Sequence, residues 1–565
     1  VDRRNDVVWV PLRPWDPCAS PMYALAPEGE RRWPALVSGS GSGRGLLYPP
    51  ATLLDEPFQL IDAATGEPVP YQIVTLDDAQ AAAPFAPERA AMARVAKQVP
   101  WLRTYARALV FVARDLPPVG YRTYRIEPCE TWPAFESACA AGAWGLENDA
   151  YRVVLDEETG ALADVVDRAT GRGLFDRAAP HAPGAFIVRD AGTGEETVAR
   201  VTGAGVVAEG PVFAQVRLTA EAPCCPRIVE EITVYSGVPR VDVGFRVLRD
   251  ATPMKELYVA FPFDVPEPQF RYEGGNAVIR PIVDQVPGSS TDAYTVQHWV
   301  AVEAPHAAPA REGAAAGRTV VWTALDTPIA ALGGLWPGYV SEAHHGVAGP
   351  GYGHPFLQQD ELTKGYIYAL VSYNNFRTNF INARPDEVVV RYAFAAQRGG
   401  AEAASAFGWG AHNPPLVMWA RAADGAGGLP PAASWLTLEV AGAEGGPVDG
   451  GVAAGAAPAA RGVAEQSGAL GAPGGRVTAM QQGVVLLALK QAEDGRGLIA
   501  RLWETAGRAV DVTVRLPHLG ITEAFETDLV ERDLRALPCR EGAVQVRIKA
   551  YTIVTIRVCL EGNRR

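Results

Sequence analysis

Apolar and polar residues alternate with a period of two along much of the chain. Val241, Val243, Phe245 and Val247 are interleaved with Asp242, Gly244 and Arg246. Val510, Val512, Val514 and Leu516 alternate with Asp511, Thr513 and Arg515, and Val544, Val546 and Ile548 with Gln545, Arg547 and Lys549. Successive side chains of a strand point to opposite faces, so each run predicts a half-buried strand of an antiparallel sheet. Turn signals separate the runs: Glu158-Thr159-Gly160, Thr170-Gly171, Ser236-Gly237-Val238-Pro239 and Pro117-Pro118-Val119-Gly120. Long amphipathic helices are scarce. The best helical stretch runs from about Pro87 to Lys97, with Pro87 suited to a first helical position and Lys97 to a last turn. The pattern predicts an all-β protein built from several antiparallel β-sandwich domains.

A chain of 565 residues exceeds one hydrophobic core. Three parts suggest themselves: residues 1–130, a small β-sandwich with a linker; 143–420, a large sandwich; and 430–565, a C-terminal β-domain. Glu303–Gly317 and Gly442–Gly475 are rich in Ala, Gly and Pro and read as a surface loop and an insertion in the last domain.

Hydrophobic content of 48% and charged content of 20% describe an ordinary soluble globular protein. A net charge of -13 argues against a nucleic-acid partner, whose phosphates it would repel. The 7 cysteines are odd in number and scattered, and no CxxC occurs, so a reduced, cytoplasmic setting is expected. Cys224 and Cys225 are adjacent and cannot easily pair with each other. The N-terminus shows no signal peptide, and no apolar run is long enough to span a bilayer. Val1 is not a natural start residue, which suggests a piece of something longer.

Candidate chemistry is sparse. No histidine begins an His-x-Asp or helical HxxxH pattern. His344, His345 and His354 share one Gly/Pro-rich loop with Glu342, but at no metal-binding spacing. No G-x-S-x-G elbow is present. Glu230 and Glu231 are adjacent carboxylates, yet strand neighbours point to opposite faces and cannot converge on one substrate atom. They read as solvated or paired sheet residues. Gly274-Gly275 reads as a tight loop rather than a phosphate cradle. Asn374, Asn375 and Asn379 lie among Phe376 and Phe380. Amides beside aromatics suit hydroxyl-rich ligands, and equally suit turn caps between strands.

Several segments resemble the C-terminal region of glycoside hydrolase family 38 α-mannosidases. Leu146–Val153 with Val166–Arg172 is similar to the family's "ENxxYRV…DKxTGRE" stretch, and Ile232–Asp242 to its "ITLYxGxPRID" strand pair. Gln297–Val300 and Asn374–Phe380 resemble "QRWV" and "NNxWxTN". Leu489–Gly495, with Ile499, Arg501, Glu504 and Gly507, resembles "LKxAEDGxGxIxRxxExxG", and Asp528–Glu531 follows it. The segments are colinear over nearly the whole chain.

The resemblance implies a large sandwich of the galactose-mutarotase-like type and a carbohydrate ligand, namely mannosides. It implies a non-catalytic C-terminal half that braces a catalytic domain, on the same precursor or another chain, and contributes to a carbohydrate site. Zinc and the aspartate nucleophile of a retaining glycosidase would belong to that other domain, so no cofactor and no catalytic residue are assigned here. Carbohydrate-binding candidates are Tyr272, Glu273, His298, Trp299, Asn374, Asn375 and Asn379. His298 stands where the family commonly has Arg, and an imidazole cannot supply that bidentate, permanently charged fork. The alternatives are a free-standing carbohydrate-binding protein and a self-sufficient sugar-active enzyme with its site in the large sandwich.

Overall fold

The computed structural model describes residues 4–12, 57–75, 107–142, 144–305, 319–335, 361–374, 383–397, 400–417, 429–441, 480–481 and 483–560. The expected helix near Pro87–Lys97, the histidine loop at 344–354, Asn375, Asn379, the segment Gly442–Gly475 and most of Glu303–Gly317 lie outside them. Among the described residues, strands make up 57% and helix 3%, the proportions of an all-β protein. The chain divides into two compact units, one of Asn5–Asp115 with Thr123–Pro431, the other of Val1–Arg4, Leu116–Arg122 and Ala432–Arg565.

The larger unit is built on two facing antiparallel sheets. One has nine strands in the order Arg200–Ala208, Phe213–Ala222, Cys225–Tyr235, Val238–Arg249, Asp386–Gln397, Thr319–Ala324, Val300–Glu303, Gln269–Gly274 and Ala277–Ile279. The other has six: Glu196–Val198, Phe186–Asp190, Lys255–Phe263, Gly365–Tyr373, Ile329–Leu332 and Tyr294–Thr295. Their inner faces meet in one core, in which Val241, Val243 and Phe245 face Val259, Phe261 and Ile367. Phe261 sits edge-on to Tyr392 at 5.1 Å and beside Trp322 at 5.7 Å, distances at which aromatic pairs attract. A five-stranded sheet adds Tyr151, Val153 and Val165 to this core. In a smaller sheet, Val74, Val110 and Val112 pack on Phe213 and Tyr235.

In the smaller unit, a four-stranded sheet containing Thr437–Ala441, Val510–Arg515 and Ala543–Ile548 pairs with a six-stranded one containing Val484–Gln491, Leu498–Glu504 and Ile553–Leu560. Val510, Val512 and Val514 point inward while Asp511 is exposed, as the alternation predicts. The family-like segment 489–507 is explained by its bonds. The buried Glu504 carboxylate accepts from the backbone N–H groups of Ala506, Gly507 and Tyr551 at 2.9–3.0 Å. Gly507 takes φ +78, and a side chain there would run into the Tyr551 ring, so only glycine fits. Lys490 and Asp494 pair with Glu531 and Arg557. These bonds hold turns.

Two expectations are corrected. Strand Val238–Arg249 is buried on both faces at its centre, where Asp242 and Gly244 are covered, while Leu248 near its end stays exposed. Asp242 is fully buried there beside Arg240, at 2.7 Å. Burial pushes its carboxyl up to about 6, with the Arg240 charge opposing. Glu230 and Glu231 do point to opposite faces, and both are buried rather than solvated, with Glu231 a paired sheet residue as the other reading had it. Glu231 has Arg217 at 3.3 Å. Glu230 lies level with Leu218 and Phe245, and its Oε1 has no hydrogen-bond partner among the described residues. Burial raises both carboxyls to about 8.

Candidate functional site

Strands Gln269–Gly274 and Val300–Glu303 pair with Tyr272 opposite Val300. The backbone N–H of Glu273 donates to the Trp299 carbonyl at 3.1 Å, and that of Gln297 to the Glu273 carbonyl at 2.7 Å. This register sets His298 against Glu273. Alternation then sorts the side chains. Tyr272, Val300 and Val302 enter the sandwich core, whereas Trp299, Ala301 and Val321 face outward.

A helix, Gly400–His412, covers that outward face. It stops before Pro414-Pro415, with Asn413 bonded to the Trp409 carbonyl. Ala404 packs on Trp299 and Val321. Gly408 is required by the close approach: a Cβ there would lie 2.6 Å from the His298 carbonyl oxygen and 2.8 Å from the Trp299 Cβ.

The helix delivers Trp409 and His412 to the pair beneath. The His298 Nδ1 lies 2.6 Å from the Glu273 Oε1, and the Trp409 indole N–H donates to the other carboxylate oxygen at 3.0 Å. The His298 ring lies over the Trp409 ring at 4.1 Å and 33°, and edge-on to His412 at 4.8 Å. The Thr323 hydroxyl donates to the His298 carbonyl at 2.6 Å and sits 3.0 Å from the His412 Nε2. That hydroxyl has one proton, so with it committed to the carbonyl the contact with His412 is donated by the Nε2–H. Burial, then the neighbouring His298, lowers His412 to about 4 and keeps it neutral near pH 7. Glu273 is buried, while His298 keeps 13% of its side-chain surface. With Nδ1 committed to the carboxylate, Nε2 is the ring's remaining hydrogen-bonding atom.

A buried carboxylate thus fixes an imidazole in tilted contact with an indole. The assembly offers a hydrogen-bonding edge beside an aromatic surface, the combination that hydroxyl-rich ligands use.

Of the sequence candidates, the structure brings Glu273, His298 and Trp299 together. Trp299 is fully buried beneath the helix, and its indole N–H has no partner among the described residues. Tyr272 is on the opposite face, packed on Tyr294 at 5.3 Å in the sandwich core. Asn374 is elsewhere: its side chain accepts from the Lys255 N–H and donates to the Thr252 carbonyl, both at 2.7 Å, tying down a turn. Trp409, His412 and Thr323 were not foreseen. The available signal was a Trp and a His three residues apart, on one helical face, ahead of a double proline.

Taken together, these features define an all-β, multi-sandwich protein with a His–Glu–Trp cluster under a single helix. Residues 146–308 match the glycosyl hydrolases family 38 C-terminal domain, and residues 483–556 the family 38 C-terminal beta sandwich domain. Among solved structures, an alpha-mannosidase from Enterococcus faecalis V583 is similar at a TM-score of 0.53 and 13% identity, covering 89% of this chain and 51% of that one. A family 38 protein from Enterococcus faecalis is similar at a TM-score of 0.53 and 13% identity, covering 89% and 52%. A search of curated protein sequences finds no match. Two separate segments of the chain thus match C-terminal domains of glycosyl hydrolase family 38. The chain spans about half the length of the two solved relatives. Among the described residues, no helix is long and apolar enough to cross a membrane.

Proposed function

We propose that the chain is the non-catalytic C-terminal half of an α-mannosidase-type glycoside hydrolase, bracing a catalytic domain and contributing to a carbohydrate site. The observation that carries this reading is the pair of family 38 C-terminal matches, one in each compact unit. The division at 1–130, 143–420 and 430–565 belongs to the same proposal, as does a cytoplasmic setting.

For the carbohydrate contact we favour His298, held by Glu273 and backed by Trp409, with Trp299 as the packed floor. Asn375 and Asn379 stay in the proposal on resemblance alone. Tyr272 and Asn374 face away from the cluster and take no part in this contact. The zinc of a family 38 enzyme would be held by the catalytic domain. Among the described residues no three His, Cys, Asp or Glu side chains come together as a metal site, and no step is routed through a metal here.

A ligand that binds only the folded state stabilises it by RT ln(1 + [L]/Kd), about 1.4 kcal/mol at tenfold excess over Kd. Mannose and manno-oligosaccharides are expected to raise the melting temperature of the native chain by a few degrees. His298→Ala and Trp409→Ala should abolish that rise. A rise of the same size in both variants, or none with any sugar of the panel, would remove the carbohydrate contact from this account.

A further inference from the structure

Cys224 and Cys225 sit where strand Phe213–Ala222 turns back into strand Cys225–Tyr235. Ala222 pairs with Cys225, so Pro223 and Cys224 are the two turn residues. Cys224 has φ +58. Proline followed by a residue of positive φ is the pattern of a type II turn, whose second central position favours glycine. A β-carbon at that position is strained, and such strain concentrates at functional positions.

The turn aims the two thiols at each other. Their sulfur atoms are 3.8 Å apart, in hydrogen-bonding contact. Cys224 is partly exposed and Cys225 is fully buried. The Cys225 thiol, and after it the Lys255 and Arg249 charges, favour the Cys224 thiolate, while its neighbour's thiol and burial push Cys225 up. An accessible thiolate beside a protonated thiol is the arrangement of an attacking and a resolving cysteine.

We propose that Cys224 and Cys225 are a redox-active vicinal dithiol that closes reversibly to a disulfide when it meets a hydroperoxide. The Cys224 thiolate attacks the peroxide, its O–O bond breaks, and the sulfur becomes a sulfenic acid as the alcohol or water leaves. The Cys225 sulfur then attacks the sulfenic sulfur; the S–O bond breaks, water leaves, and the S–S bond forms. In sum, two thiols and one hydroperoxide give one disulfide, one alcohol (or water) and one water. Consecutive α-carbons are about 3.8 Å apart, shorter than the roughly 4.4–6.8 Å of ordinary disulfides. The adjacency that makes pairing difficult therefore also makes the bond strained and easily reduced. The proposal is independent of any sugar site.

The test uses the native chain, treated with hydrogen peroxide, alkylated under denaturing conditions and cut with trypsin. Cleavage after Arg217 and Arg227 isolates both cysteines in one peptide, Leu218–Arg227. That peptide should be unalkylated and lighter by two hydrogens, and reduced glutathione should restore two alkylatable thiols. Cys224→Ser, at the turn surface, should abolish the two-hydrogen loss. Two alkylated thiols after peroxide would overturn the proposal. So would a peptide that gains oxygen without losing hydrogens, or a disulfide from either residue to another cysteine.

Discussion

Glu230→Gln is expected to match the native chain in stability at pH 5 and to exceed it increasingly as the pH rises, by roughly 4 kcal/mol at pH 9. Glu230 is buried level with Leu218 and Phe245, and one carboxyl oxygen has no hydrogen-bond partner among the described residues. Burial raises its carboxyl from 4.5 to about 8. The folded state therefore holds this proton where the unfolded chain has released it. Native stability falls as pH rises above 4.5, by at most about 1.4 kcal/mol per pH unit, and levels off above about pH 8. Glutamine mimics the protonated acid and carries no such slope. Urea unfolding of both chains at pH 5, 7 and 9 measures the difference. A pH-independent difference would mean that Glu230 ionises as it does in water.

The second large effect is expected at Arg557. Its guanidinium is buried and makes four bonds: to Asp533 at 2.8 Å, Asp494 at 2.7 Å, and the carbonyls of Arg496 at 3.1 Å and Glu531 at 2.6 Å. Removing one partner of a buried ion pair costs about 3–5 kcal/mol. Asp494 and Asp533 are partly solvated, so Arg557→Leu should cost roughly 2–4 kcal/mol. The loss should be local to the smaller unit. Amide hydrogen exchange should accelerate in Leu498–Glu504 and Ile553–Leu560, which pair with each other, and not in Val238–Arg249. Arg557→Lys should recover less than half, because an ammonium cannot span both carboxylates and both carbonyls. Unchanged exchange in the smaller unit would show that the network contributes little.

How far the sequence could be read followed from what each face of a strand meets. Val510–Leu516 and Val544–Ile548 were legible because one face is wet and the alternation survives. Val238–Arg249 was legible as a strand, but the burial of Asp242 on its second face was not, because Arg240 rather than solvent accommodates the carboxyl there. Glu273 and His298 were each suspected, yet their contact depends on a strand register spanning 25 residues, which local patterns do not encode. The helix Gly400–His412 is poorly signalled in the sequence, because Gly408 and Gly410 disfavour helix. Gly408 is in fact what lets the helix lie against Trp299. Asn374 fitted sugar contact and turn capping equally well; the structure shows it tying down a turn through Lys255 and Thr252.

The role proposed for the chain is to support glycoside hydrolysis without performing it. Its most direct test is turnover of aryl α-mannosides by the purified chain, alone and mixed with a family 38 catalytic half supplied with zinc. The chain alone is expected to show no turnover, and the mixture is expected to exceed the catalytic half alone. Hydrolysis by the chain alone, lost in Glu273→Gln or His298→Ala, would contradict that role and place a complete active site in the large sandwich.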